Sequence, residues 1–334
     1  MKTLRIAAFC AAIGMTAFAL SPGQAQAQTS PGAAAYPARP VRLILGYTAG
    51  GLTDVLARAM AQEIVKTWGQ QLLVENRPGA NQIIAAEAAA HAPADGYTFL
   101  MVDSSALVLN PLLYSKLPYD PAKDFQPVLN LTFVPDMLVA SPQFPGNTLQ
   151  DVLRIAREQP GKLSYGTFGL GSLTHVDTEA FAAIAGIRLN HIPYKGISEV
   201  LPALTGNQID LALSGIPPLP GLTKQGRIKP IALASSRRSP AMPDVPTFAE
   251  AGGPDFDSHA WFGLVTQAGV PRAIVDKVAL DLGRVISQPA FNEKYISGAG
   301  MELLNQPAAQ FAETIKADTI SYTQRIRSNN IHLE

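Results

Sequence analysis

From residue 41 onward, short apolar bursts alternate with stretches of helical period, and that rhythm constrains the chain more than any single motif. "VRLILGY" is followed by "TDVLARAMAQEIVKTW", "LLVENRPG" by "IIAAEAAAHA", and "PADG" opens "YTFLMVDSS". In the first of these helices Leu56, Met60 and Ile64 recur every fourth residue, with Val55 and Ala59 beside them, which predicts one buried face. Strands separated by helices need crossover connections, so the sheet is expected to be largely parallel with helices on both sides.

A second series repeats the rhythm: "DMLVASP", a helix opened by Thr148 with Asp151 three residues on, "KLSYGTFG", a helix from about Thr174, "IRLNHIPYKG", a helix near Ser198 to Leu204, "IDLALSG" and "IKPIALASS". Thr148 with Asp151, and Thr247 with Glu250, read as variants of the capping box. "AWFGLV" then returns as a strand. Pro271 opens a helix whose Ile274, Val278, Leu282 and Val285 share a face, and Phe311, Ile315 and Ile326 do the same in the last helix. For 334 residues the reading is α/β with two lobes.

The start of the chain carries an export signal. Lys2 and Arg5 precede an apolar run from Ile6 to Leu20, and Ala25-Gln26-Ala27 supplies a small-residue cleavage site. Residues 1–27 are therefore expected to be a signal peptide, residues 28–36 a linker, and the mature protein periplasmic. Cys10, the single cysteine, lies inside the apolar run, so the cleaved chain is expected to hold no disulfide, thiolate metal site or cysteine nucleophile. Lys plus Arg and Asp plus Glu both number 26, and a balanced charge implies no nucleic-acid partner. The histidines, at 91, 175, 191, 259 and 332, form no HExxH, and Asp120, Asp124 and Asp136 are too scattered for a calcium loop; no metal or cofactor is expected.

Two glycine loops stand where strands turn into helices: "GYTAGGLTD", residues 46–54, and "YGTFGLGSLTHVD", residues 165–177. Such a turn exposes backbone N–H groups at the positive end of a helix, a general anion site. GxGxxG spacing and a P-loop lysine are both lacking, and Thr53 and Asp54 are residues of the kind that cap helices. One loop per lobe predicts the two walls of a cleft. Ser172, His175 and Asp177 share one helical turn and do not converge as a triad, and no GxSxG is present, so the hydrolase alternative is weak and the chain is read as a non-enzyme.

The chain from "YPARPVRLILGYTAGGLTD" through "VENRPGA", "DGYTFLM", "LYSKLPYDPAKDFQPV", "GSLTH", "HIPYKG", "SRRSPAMPDVPTFAEAG" and "AWFGLV" resembles, in that order, the Bug-type receptors of the tripartite tricarboxylate transporter system. The resemblance implies a hinged, two-lobed periplasmic binding protein of type II (a Venus flytrap), with lobe 1 at 37–133 and 237–334 and lobe 2 at 134–236. It implies a monomer that captures a small carboxylate for the membrane permease subunits of a tripartite transporter; some members feed signalling systems instead, so sensing stays open as the alternative. By position it points to Tyr47, Thr48, Ala49, Gly50, Gly51, Thr53 and Asp54 on one wall, and to Gly169, Ser172, Thr174 and His175 on the other.

This sequence departs from the family pattern in four places. Leu52 stands where a small or hydroxyl residue is commoner, and Phe168, Leu170 and Leu173 make the second loop more apolar. Ser214 stands where Asp is frequent, and "NRPGANQIIAAE" lacks the glycines usual after "RPGA". The apolar rim points to a carboxylate with an apolar or aromatic body. Ser104 and Ser105, after the strand "TFLMVD", are placed toward the cleft, where Asp103 would repel an anion unless paired. Tyr194 is a candidate donor, Lys195 a solvated lysine, and Trp261 and Phe262 core residues.

Overall fold

In the computed structural model, which describes residues 36–328, ten strands form one continuous sheet. The signal segment, Cys10 and all of the linker but Tyr36 lie outside the described residues. Tyr36 itself belongs to the core: it is 4% exposed and packs its ring against Trp68 and Tyr97.

The chain begins with β1 (Val41–Leu45), α1 (Leu52–Trp68), β2 (Leu72–Asn76), α2 (Ile83–Ala90) and β3 (Thr98–Val102). A π-helical turn at Ser105–Leu109 leads to α3 (Asn110–Leu113), α4 (Pro121–Asp124) and the long β4 (Phe125–Ala140). Then come α5 (Leu149–Glu158), β5 (Ser164–Thr167), α6 (Leu173–Ala185), β6 (Asn190–Pro193), α7 (Ile197–Thr205), β7 (Leu211–Gly215), α8 (Leu219–Lys224) and β8 (Lys229–Ala234). The chain returns through β9 (His259–Gln267), α9 (Arg272–Ile286), α10 (Pro289–Tyr295), β10 (Glu302–Pro307) and α11 (Ala308–Ser328).

The sheet order is β2-β1-β3-β9-β4-β7-β5-β6, with β8 and β10 also paired to β4. β4 pairs with β9 as far as Pro135 and with β7 and β8 from Asp136, so one strand of 16 residues serves two halves of the sheet. The expected parallel pairing occupies the outer strands: β1 with β2 and β3, and β5 with β6 and β7. Every pairing made by β4, and that of β3 with β9, is antiparallel. The cause is the crossing itself, because β4 carries the chain out and β9 carries it back alongside.

Apolar periodicity set the helices. On α1 the buried stripe is Thr53, Leu56, Ala57, Met60, Ile64 and Trp68, and Val55, expected within it, projects from the opposite side and is 47% exposed. Thr148 and Asp151 form the expected reciprocal cap of α5. The Thr247 and Glu250 pair makes the same two bonds, but over a turn rather than a helix. α11 closes the molecule: Phe311, Tyr322 and Ile326 share an apolar cluster with Trp261 of β9, with Leu100 and Val102 of β3, and with Leu173 and Val176 of α6. Among the described residues no helix is long and apolar enough to cross a membrane.

Candidate functional site

Both sheet halves reverse their strand order at one place. From β1 the chain moves to β2 on one side and then crosses to β3 on the other; from β5 it moves to β6 and then crosses to β7. In open α/β sheets a ligand crevice lies outside the carboxyl ends of the strands at such a reversal. The loops there are the two glycine loops of the sequence, together with Asp103–Ser105 after β3 and the residues after β7. Leu173 and Val176 at the start of α6 pack with Ile44, Leu100, Val102 and Leu107 of the first half, which brings the two reversal points together.

In the first loop Thr48, Ala49 and Gly50 are exposed and Tyr47, Gly51 and Leu52 are half-buried. Gly50 has φ +82°, which suits glycine. The N-cap of α1 is Gly51 and no side chain caps it, so Thr53 and Asp54 do not serve as the expected cap. The first-turn amides of a 17-residue helix are left without a side-chain acceptor, and the helix dipole adds a positive potential there. Asp54, 3% exposed, turns back into the loop: its carboxylate accepts from Gly50 N (2.9 Å), Arg58 Nε (2.9 Å) and Asn76 Nδ2 (3.0 Å). The Arg58 bond holds its pKa below the ordinary aspartate range. Its role is to shape the loop, and its charge is answered.

The second loop is locked from within. Gly169 and Gly171 have φ +120° and +71°. Ser172 Oγ donates to Gly169 O (2.7 Å) and accepts from His175 N (3.4 Å), and Thr174 Oγ1 accepts from Phe168 N (3.3 Å). His175 Nδ1 accepts from Gly171 N (3.2 Å), which fixes the tautomer and leaves the proton on Nε2. Its ring stacks on His191 at 4.2 Å, and His191 stacks on Tyr165 at 5.0 Å. Burial lowers the pKa of His175, and burial together with His175 lowers that of His191 to about 4, so the pair is neutral near pH 7. His175 thus pins its loop and also keeps an N–H to offer. Phe168 is half-buried, and Leu170 stands 58% exposed on the rim.

Asp103 is paired: it accepts from Tyr47 OH (2.6 Å), Gln82 Nε2 (2.6 Å) and Ser105 N (2.7 Å). Ser104 and Ser105 are buried beside it at 1% and 3% exposure. Tyr194 is half-buried against Gly166 and Gly169, at the edge of the second loop, and Lys195 is exposed. Ser214 is buried near the end of β7, and its hydroxyl donates to Gly215 O (3.1 Å). Trp261 is core, 1% exposed, its Nε1 donating to Asp318. Sequence reasoning passed over Gln82; the signal was the replacement of glycines by "NQ" before α2.

Where β4 changes halves, Ser258 Oγ lies 2.8 Å from Asp136 Oδ2 and 2.7 Å from Asp177 Oδ2. Tyr322 OH and Arg325 Nη1 also donate to Asp177. These residues, from β4, α6, the strand-entry segment of β9 and α11, tie the crossing together. Among the described residues no group of His, Cys, Asp and Glu could hold a metal ion.

Residues 56–331 match the family described as "Tripartite tricarboxylate transporter family receptor". The chain belongs to this receptor family. It is 32% identical to the protein BugT of Bordetella pertussis over 273 residues, 81% of this chain and 84% of that one. Among solved structures it is similar to R. palustris Rpa4515 with adipate (31% identity, TM-score 0.83, 89% of this chain and 99% of that chain). It is similar also to MatC (Rpa3494) from Rhodopseudomonas palustris with bound malate (29% identity, TM-score 0.79, 87% and 100%). Receptors of the tripartite tricarboxylate family are periplasmic solute-binding proteins, and the fold is theirs rather than an enzyme's.

Proposed function

We propose that this receptor captures a small carboxylate between the first-turn amides of α1 and the locked loop before α6, and delivers it to the membrane permease of a tripartite transporter. The observation that carries the reading is the uncapped N-terminus of α1 at the β1/β3 reversal, opposite a second pre-formed glycine loop at the β5/β7 reversal. The adipate and malate held by two similar proteins support a carboxylate. A buried carboxylate loses its hydration, and fixed N–H dipoles that need no reorganisation can replace it. Residues 47–54 with Ser104 and Ser105 form one wall; Phe168, Gly169, Ser172, Thr174, His175 and Tyr194 form the other. The lobes are residues 37–133 with 237–334, and 134–236. Ligand bridges them and shifts the balance toward the closed form, in a chain exported to the periplasm and acting as a monomer.

Leu52, Phe168 and Leu170 favour a ligand whose body is apolar or aromatic. A thermal-shift and calorimetric comparison of adipate, malate, terephthalate and citrate tests both parts, since bound ligand raises the melting temperature by mass action. Adipate or terephthalate is expected to bind tighter than citrate. Equal or tighter citrate binding removes the apolar preference, and no shift with any of the four overturns the carboxylate reading.

A further inference from the structure

The segment between β2 and α2 is built against its own backbone preferences. Ala80, Asn81 and Gln82 are successive non-glycine residues with φ of +46°, +47° and +69°. Such a conformation strains Ala80 and Gln82 more than Asn81, and glycine would adopt it at little cost. The result of this path is the placement of one side chain. Gln82 is 5% exposed; its Cγ and Cβ cross directly over Gly46, where a built Cβ would stand 2.5 Å and 2.8 Å from them. Its Nε2 donates to Asp103 Oδ1 at 2.6 Å. A carboxylate can only accept, so the amide cannot be turned over, and Oε1 is fixed as the amide atom that does not bond Asp103.

Among the described residues Gln82 Oε1 has no hydrogen-bond partner, although it is sealed from solvent. Ser104 Oγ, in the neighbouring segment after β3 and 1% exposed, is also buried without a partner. Two orphaned polar atoms therefore sit at one strand reversal, next to the carboxylate of Asp103. An unsatisfied buried acceptor is costly, and a donor arriving with a ligand recovers that cost. Tyr47 cannot be that donor, because its hydroxyl proton is directed to Asp103 Oδ2 at 2.6 Å. Another carboxylate oxygen cannot fill the place either, since it would bring acceptor against acceptor and charge against Asp103.

We propose that Gln82 and Ser104 form a donor-reading subsite, so that the ligand is a carboxylate carrying a hydroxyl or ammonium group whose hydrogen is accepted by Gln82 Oε1. This rests on the carboxylate reading given above and adds what the other end of the ligand must contain. It is compatible with an apolar body between the two ends.

The test uses matched pairs that differ by one donor, malate with succinate and 4-hydroxybenzoate with benzoate, titrated calorimetrically into the wild-type protein and into Gln82→Met and Gln82→Gly. Methionine keeps the length and removes the acceptor; glycine suits φ +69° and folds without strain. The expected result is that the donor-bearing member of at least one pair binds about tenfold tighter to wild type, and that both variants reduce the preference to under about threefold. Equal binding within every pair, or a preference that survives in either variant, overturns the subsite while leaving the carboxylate reading intact. Failure of all four compounds to bind, together with failure of adipate, terephthalate and citrate, overturns the carboxylate reading and the subsite with it.

Discussion

Two residues test the loops most directly. Ala80 is exposed, holds φ +46° and carries only a methyl group, so it is the simplest of the three left-handed residues to change. Ala80→Gly is expected to stabilise the protein by about 1 kcal/mol, raising the melting temperature by roughly 2–4 °C for a chain of this size. A lower melting temperature would show that the segment is not strained. Ser172 presents the converse case, since its hydroxyl both caps α6 and holds Gly169 O. Ser172→Ala removes both bonds and is expected to weaken adipate or malate binding about fivefold to thirtyfold, on the order of 1–2 kcal/mol. Unchanged affinity by calorimetry would take Ser172 out of the site.

At the scale of elements, α11 is held on β9 by a ring lying over a glycine. A Cβ at Gly263 would come within 2.2 Å of Phe311 Cζ, and Phe311 in turn meets Trp261 edge-on at 4.9 Å. Gly263→Ala must push the ring aside or lift the helix, and is expected to cost about 1–3 kcal/mol, read as a fall in the urea midpoint. An unchanged midpoint would mean the ring moves freely. The stripe of α1, the cap of α5 and the position of both glycine loops were legible because periodicity, caps and glycines act within a few residues. The first half of β4 was not legible, because Pro127 and Pro135 argue against a central strand. The structure places Pro127 beside a register shift in the pairing with β9 and Pro135 where that pairing ends, so neither proline interrupts a regular ladder. β10 was hidden for a similar reason, as Asn305 at φ +48° breaks its alternation and its register. Gln82 was overlooked because its importance comes from Gly46 and Asp103, which lie far from it in the sequence.

Across the whole molecule the crossing between halves depends on a proton that sequence could not reveal, since Asp136, Asp177, Ser258 and Arg325 meet only in the fold. Ser258 Oγ touches a carboxylate on each side, yet it has one hydrogen to give. One of the two contacts therefore needs a carboxyl proton. Burial raises the pKa of both carboxyls, but Asp177 has Arg325 and Tyr322 as donors, so the proton belongs on Asp136, whose pKa burial and the neighbouring Asp177 raise from 3.8 to about 7. Asp257, His259 and Arg325 complete the charges around the pair. A folded-state pKa above the unfolded one means that the stabilisation is complete below about pH 4 and is lost as pH rises through about 7. The loss from this one group is on the order of 4 kcal/mol at most. Asp136→Asn removes the titration while its amide can still donate to Ser258. The variant is expected to melt above wild type at about pH 8, and the gap should shrink to less than half by about pH 5 and close below about pH 4. A gap of equal size at both pH values would place the proton elsewhere, whereas a closing gap would show that the strand joining the two halves is held in place by a neutral carboxyl group.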